Sequence, residues 1–73
     1  MNPVVDIRDF LHAVPFVPFD IRLSDGRFWR ITHPDFVMIT GRGRVIIEGD
    51  TDDVYASLSP MHITGVERVQ ASA

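Results

Sequence analysis

Apolar and polar residues alternate along residues 16–31, and the alternation is interrupted at Asp25-Gly26. Alternation of this kind puts apolar side chains on one face of a β-strand and polar side chains on the other. An Asp-Gly pair between two such runs is a strong signal for a two-residue hairpin turn, whose two central residues both have positive φ. This register would place Arg22 opposite Trp29 and allow a cation–π contact between them.

A helical pattern precedes the hairpin. Asn2-Pro3 is typical of a helix start, with Asn as the N-cap and Pro in the first turn, and Pro15 predicts the helix end. We therefore expect a helix over about residues 3–13. Its apolar stripe consists of Val4, Ile7, Leu11 and Val14, with Phe10 beside it.

Short apolar runs separated by turn residues follow the hairpin at spacings typical of small β-barrels. Together with the hairpin they predict about five bent antiparallel strands over residues 16–69. The 45–47 run, wholly apolar, predicts a central strand; Gly65 predicts a bulge, and residues 70–73 a frayed tail. We expect one mainly β domain over residues 1–73, an SH3-like small barrel that is closed and capped by the helix.

Size and composition narrow the function classes. A chain of 73 residues buries a small core, and with no cysteine it has no disulfide to support that core, so self-association becomes more probable. The net charge of −3 disfavours binding to duplex DNA. No apolar run approaches the length of a membrane span, and the beginning of the chain lacks a signal-peptide pattern. We expect a soluble cytoplasmic protein that does not bind membranes.

The order of one helix and five bent strands resembles the Sm-like fold, which includes the Sm, LSm and Hfq proteins. The 21–27 segment, Ile-Arg-Leu-Ser-Asp-Gly-Arg, looks like the turn that joins the first two strands of that family. The 61–66 segment, Met-His-Ile-Thr-Gly-Val, resembles the stretch of Hfq in which a Lys-His pair precedes the last strand. The resemblance implies a ring of subunits and binding to single-stranded RNA.

Two segments depart from the Sm pattern. His33-Pro34-Asp35 stands where Sm proteins have an Asn, and the 59–62 turn lacks their Arg-Gly pair. The chain also resembles a set of small uncharacterised bacterial proteins, marked by Pro-Phe-x-Pro-Phe-x-Ile-x-Leu-x-Asp-Gly-Arg over residues 15–27 and by His-Pro-Asp-Phe over residues 33–36. That second resemblance implies no activity.

Arginines interleaved with aromatic residues are the residue types that bind single-stranded nucleic acid, through phosphate contacts and base stacking. The alternative is that Phe28 and Ile31 belong to the core and that the arginines pair with Asp20 and Asp25 across the strands. The candidate nucleic-acid-binding residues are Arg27, Trp29, Arg30, Arg42, Arg44 and His62.

Catalytic and metal-binding motifs are weak. No Gly-x-Ser-x-Gly or phosphate-loop pattern is present, which favours a protein that is not an enzyme and has no cofactor. His33, Asp35 and His62 are the one metal-ligand set that the turns could bring together, and a turn role for Pro34-Asp35 is simpler. The acidic residues Asp50, Asp52 and Asp53 lack the calcium-loop spacing and predict a solvated loop.

Two functions remain open. The first is a non-enzymatic interaction module that self-associates through strand edges. The alternative is an Sm-like single-stranded RNA-binding protein. Clustered arginines with an exposed Trp29 would favour RNA, whereas a buried Trp29 with paired arginines would favour the protein module.

Overall fold

A computed structural model describes residues 2–48 and 55–69, a mainly β fold with one N-terminal helix. The predicted acidic loop at Asp50, Asp52 and Asp53, the start of the strand at Val54 and the predicted frayed tail 70–73 lie outside the described residues. The elements are α1 (Pro3–Leu11), β1 (Phe19–Leu23), β2 (Phe28–Ile31), a 3₁₀ turn (Pro34–Phe36), β3 (Val37–Ile39), β4 (Val45–Glu48), β5 (Tyr55–Leu58), a second 3₁₀ turn (Pro60–His62) and β6 (Ile63–Arg68).

Helix α1 begins as predicted and ends two residues earlier than expected. The Asn2 side chain accepts a hydrogen bond from the N–H of Val4 at 3.0 Å, which caps the first turn. Ile7 is fully buried and anchors the helix in the core. No helix of the described residues has the length and apolar character needed to cross a membrane.

The strands form two three-stranded antiparallel sheets, with the orders β2-β1-β6 and β3-β4-β5. The expected closed barrel is wrong, because both sheets are open, and six strands replace the predicted five. A 3₁₀ turn at Pro34–Phe36 separates β2 from β3, and the two strands belong to different sheets. Pro34 has no N–H to continue a ladder. Strand β4 is central in its sheet, as its apolar run predicted.

The β1–β2 turn differs from the predicted two-residue turn. Gly26 has a φ of 90°, and no residue other than glycine has a positive φ among those described, so Asp25 does not take the predicted conformation. The N–H of Gly26 donates to the carbonyl of Leu23 at 3.1 Å, and the N–H of Leu23 donates to the carbonyl of Arg27 at 2.8 Å. This is a three-residue loop with a glycine bulge.

The extra loop residue shifts the strand pairing by one position from the predicted register. Arg22 pairs with Phe28, and Ile21 pairs with Trp29. Trp29 therefore lies on the core-facing side of β2 and is half-buried, whereas the side chain of Phe28 lies on the outer face and is 49% exposed. The predicted contact between Arg22 and Trp29 is replaced by one between Arg22 and Phe28.

The core collects apolar side chains from the helix and from five of the six strands. Phe19 lies at its centre and meets the rings of Phe10 and Phe16 edge-on, with centroid distances of 5.3 and 6.1 Å. Phe36 is half-buried beside His33. The buried core residues are Ile7, Phe19, Ile21, Ile31, Val37, Val45, Ile47 and Ile63.

Strand β6, the last strand described, pairs antiparallel with β1, the first strand. The pairing register shifts between Arg22 and Leu23, and the interruption lies at Thr64, next to the glycine where a bulge was predicted. The hydroxyl of Thr64 donates to the carbonyl of Arg22 at 3.3 Å. The guanidinium of Arg68 lies 4.9 Å from the Phe10 ring centroid and joins β6 to the helix.

Candidate functional site

The structure separates the six predicted nucleic-acid-binding residues into four places. Arg27, Arg44 and His62 line one surface cleft of about 460 Å³. Trp29 lines an adjoining apolar slot, Arg30 lies on the outer face of the β2-β1-β6 sheet, and Arg42 is exposed in the β3–β4 turn.

Two hairpins of the same build supply the arginines of the cleft. In the β3–β4 turn the N–H of Gly43 donates to the carbonyl of Thr40, and the N–H of Thr40 donates to the carbonyl of Arg44, both at 2.9 Å. Gly43 has a φ of 84°, close to that of Gly26 in the other hairpin. The residue after the glycine is arginine in both turns, Arg27 in one and Arg44 in the other.

Arg27 is held at the cleft by its own turn. The backbone N–H of Arg27 donates to Asp25 Oδ1 at 3.0 Å, and its Nε donates to Asp25 Oδ2 at 2.8 Å. These two hydrogen bonds, the backbone one first, hold the pKa of Asp25 below its ordinary value. The ion pair positions Arg27 but offsets its charge.

Arg44 is held by neutral groups. Its Nε donates to the hydroxyl of Ser57 at 2.9 Å, and its Nη2 lies 3.5 Å from the carbonyl oxygen of Ser57. Among the described residues no carboxylate forms an ion pair with this guanidinium. The guanidinium of Arg44 is therefore oriented by β5, and within residues 2–48 and 55–69 it has no carboxylate as an ion-pair partner.

His62 comes to the cleft on the turn between β5 and β6. Its backbone N–H donates to the carbonyl of Ser59 at 3.0 Å, which closes the 3₁₀ turn. Its carbonyl accepts a hydrogen bond from the N–H of Ser24 at 2.9 Å, which ties this turn to the β1–β2 loop. Three serines that were not among the predicted binding residues, Ser24, Ser57 and Ser59, also line the cleft. The sequence signal that could have pointed to them is that Ser24 and Ser59 lie in turns and Ser57 lies at an outward-facing position of β5.

The adjoining slot is apolar. It has a volume of about 270 Å³ and lies between Phe28 and Trp29 of β2 and Ala56 and Leu58 of β5. Arg27, together with Leu23 and Leu58, borders both the cleft and the slot. A ligand with a charged end and an apolar end can therefore contact both.

Arg30 belongs to a different surface. Its Nε and Nη2 bind the two oxygens of Asp20 at 2.9 and 3.2 Å, and this hydrogen bonding raises the pKa of Arg30. The guanidinium carbons of Arg22 and Arg30 lie 5.9 and 5.6 Å from the centroid of the Phe28 ring. Arg22 also pairs with Glu67 at 3.2 Å. The arginines of this face are thus used within the protein, as in the alternative that the sequence left open.

The residues of the predicted metal-ligand set do not come together. His33 and Asp35 lie at the first 3₁₀ turn, where the His33 ring is tilted against Phe36, whereas His62 lies at the cleft. Within residues 2–48 and 55–69 no three His, Cys, Asp or Glu side chains are grouped as a metal ion would require.

Taken together, the cleft presents two guanidinium groups, an imidazole and serine hydroxyls, beside one carboxylate. Guanidinium and hydroxyl groups of this kind donate hydrogen bonds to oxyanions. The arrangement is suited to binding an anion. Comparison of the chain with protein-family models, with curated proteins and with solved structures finds no match.

Proposed function

We propose that this chain is a non-enzymatic interaction module that self-associates through the edges of β5 and β6. Each of these strands is an edge strand of an open sheet, as β2 and β3 are at the opposite edges, and among the described residues no strand pairs with its outer edge. An open edge presents backbone N–H and C=O groups that can pair with another chain. The observation that supports the proposal is that the open edges of β5 and β6 are joined by one short turn, which carries the exposed Met61.

The two edges belong to consecutive strands, joined by the Pro60–His62 turn. If the β5 edge of one copy pairs with the β6 edge of the next, the contact is heterologous and repeats in one direction. Such a contact builds a ring where the rotation closes and a filament where it does not. A ring built in this way is what the resemblance to Sm-like proteins implies, and the finer Sm-like assignment is part of this proposal.

The connecting turn and the aromatic residues support a protein partner. Met61 is 81% exposed between the two edges, where an apolar side chain gains by being covered. Trp29 is half-buried against the core, and Arg22, Arg27 and Arg30 are all paired with carboxylates. The half-burial of Trp29 and the pairing of Arg27 and Arg30 are closer to the combination that favours the protein module, whereas Arg44, which has no ion pair among the described residues, lies beside Arg27 in the cleft.

Light scattering on the purified chain tests the proposal. We expect a mass of several subunits, and we expect Met61→Glu to shift it towards the monomer because a carboxylate would have to be buried at the interface. Met38→Glu is the matched control, since Met38 is also exposed but lies on the outer face of β3. A monomer at every concentration would refute the proposal.

A second candidate is binding of single-stranded RNA, favoured by the grouping of Arg27, Arg44 and His62 in one cleft beside Trp29. An oligoribonucleotide titration at two salt concentrations tests it. Affinity that falls steeply with salt supports phosphate contacts, and no binding at low salt rejects this candidate.

A further inference from the structure

We infer that the cleft between the two hairpins is a binding site for a small phosphomonoester, with the phosphate between Arg27 and Arg44 and an apolar or aromatic body in the slot beside Trp29. The inference is argued from the residues that line the cleft and the slot within a single copy. The inference therefore does not depend on the proposed self-association.

The local charge is the first reason. The chain carries a net charge of −3, yet the cleft is lined by two arginines against the single carboxylate of Asp25. Arg44 is oriented by Ser57 and paired with no carboxylate of the described residues. An oriented guanidinium that forms no ion pair with a described carboxylate, beside an Asp25 already bound to Arg27, favours an anionic ligand.

The number of donors favours a phosphate over a carboxylate. Ser57 accepts from Arg44 Nε, so the hydrogen of its hydroxyl is available for a ligand. Ser59 and His62 supply further polar groups from the neighbouring turn, and imidazole has an N–H donor in either protonation state. A phosphomonoester offers three terminal oxygens to such a set, whereas a carboxylate offers two.

The slot defines the other half of the ligand. Its walls are apolar and include Phe28, Trp29 and Leu58, and Arg27 stands at the boundary with the cleft. The cleft volume of about 460 Å³ lies within the range of roughly 300–1,000 Å³ usual for small-molecule sites. Apolar walls next to an anion site select a phosphate that carries an apolar substituent over inorganic phosphate.

NMR titration of the whole chain with phenyl phosphate, inorganic phosphate and benzoate tests the inference. We expect phenyl phosphate to bind about tenfold more tightly than inorganic phosphate, because its phenyl ring is transferred from water into the apolar slot. We expect it also to bind more tightly than benzoate, and to shift the resonances of Arg27, Arg44 and the Trp29 indole. Equal binding of phenyl phosphate and inorganic phosphate, or tighter binding of benzoate, would overturn the ligand class.

Two arginines of one turn provide matched variants. Arg44→Gln is expected to weaken phenyl phosphate binding by about tenfold or more, through the loss of charged hydrogen bonds. Arg42→Gln, which removes the same charge from an exposed residue outside the cleft, is expected to leave the affinity within about twofold. Arg44→Lys keeps the charge and is expected to bind with intermediate affinity. Equal losses in the Arg42 and Arg44 variants would reject the site.

An oligoribonucleotide without terminal phosphates distinguishes binding of a phosphomonoester from binding of the phosphodiester backbone of RNA. If it binds at the cleft and phenyl phosphate does not, the inference fails and the RNA candidate gains support. Light scattering on the same samples reports the subunit number independently. A chain that is monomeric and binds phenyl phosphate would refute the proposed function and leave the site standing.

Discussion

Among the described residues, Asp20 is the one buried residue that carries a charge; the other buried residues are apolar. It is 7% exposed, on the outer face of the central strand β1, and both its oxygens accept hydrogen bonds from Arg30. The neighbouring pair of Arg22 and Glu67 lies on the same face, but both its members are half-exposed or more. Because an ion pair in water contributes little and a buried carboxylate needs its partner, the two pairs should differ in their effect on stability.

We predict that Arg30→Gln lowers the free energy of unfolding more than Arg22→Gln does. The first variant leaves Asp20 buried without its cation, a loss of about 1–3 kcal/mol for an unsatisfied buried group. The second breaks a solvated pair worth less than about 1 kcal/mol. Urea denaturation of both variants measures the difference, and equal losses would contradict the role of burial.

Asp25 makes the stability of the protein depend on pH in the acid range. Its pKa in the folded state is below its ordinary value of 3.8, through the backbone N–H of Arg27 first and the Arg27 side chain second. The ionised carboxylate therefore stabilises the fold above pH 3.8, and this contribution is lost as the pH falls through the lower folded pKa. We predict that Asp25→Asn is less stable than the parent chain at neutral pH and that the difference shrinks below that value.

Denaturation of both proteins at neutral and acid pH measures this difference. In an Arg27→Gln background we expect a smaller pH-dependent difference to remain, because the backbone N–H still donates. A difference that is the same at both pH values would show that the Asp25 interaction does not depend on its charge.

At the scale of elements, the two glycine-bulge hairpins are the repeated device of this fold. Gly26 and Gly43 both have a φ in the left-handed region, and each precedes an arginine that lines the cleft. A side chain at such a position is strained whatever the space around it. The glycines therefore determine where the arginines are placed as well as how the strands turn.

We predict that Gly43→Ala destabilises the protein by about 1–2 kcal/mol, the cost of a left-handed residue with a Cβ. Gly41→Ala in the same turn is the matched control. No atom lies within 4 Å of the Cβ that it would add, and its φ is not positive, so its effect should be near zero or slightly stabilising. Equal losses on urea denaturation would contradict the assignment of strain to Gly43.

Local signals predicted the elements, and turn geometry set their register. The N-cap of α1, the central position of β4 and a bulge next to Gly65 followed from residue type and periodicity. The β1–β2 register did not, because Asp-Gly is compatible with a two-residue turn and with the last two positions of a three-residue turn. Because the loop is one residue longer than predicted, the register shifts by one position. Phe28 then lies on the outer face and Trp29 on the core-facing side, the reverse of the predicted arrangement.

The sequence predicted which residue types line the cleft, but it did not predict which of these residues lie close together. The sequence singled out Arg27, Arg44 and His62 among six candidates, but their meeting in one cleft depends on three separate turns. Ser57 joins them because β5 pairs with β4 in a register that places it beside Arg44. Long-range pairing of this kind leaves no local pattern in the chain.

At the scale of the whole molecule, two open sheets share one small core. Small domains without disulfides or metal are commonly supported by association. If β5 and β6 edges join between copies, folding and assembly are linked, and the apparent stability depends on concentration. We predict that the midpoint of thermal unfolding rises over a ~100-fold increase in protein concentration.

Differential scanning calorimetry of the parent chain and of Met61→Glu measures this dependence. The variant is expected to unfold at a midpoint that is independent of concentration, as a monomer does. A parent chain whose midpoint is also constant would show that the edges do not stabilise the fold through self-association.

The pairing of β1 with β6 has a consequence for synthesis. Strand β1 needs two neighbours, and the residues of one of them, Ile63–Arg68, lie 40 to 49 positions beyond their partners in β1. While the ribosome is still adding residues, a nascent chain can form the β1–β2 hairpin, but the other edge of β1 has no β6 to pair with. We expect this edge of β1 to stay unpaired until Arg68 has left the exit tunnel, so that folding is completed after translation of β6.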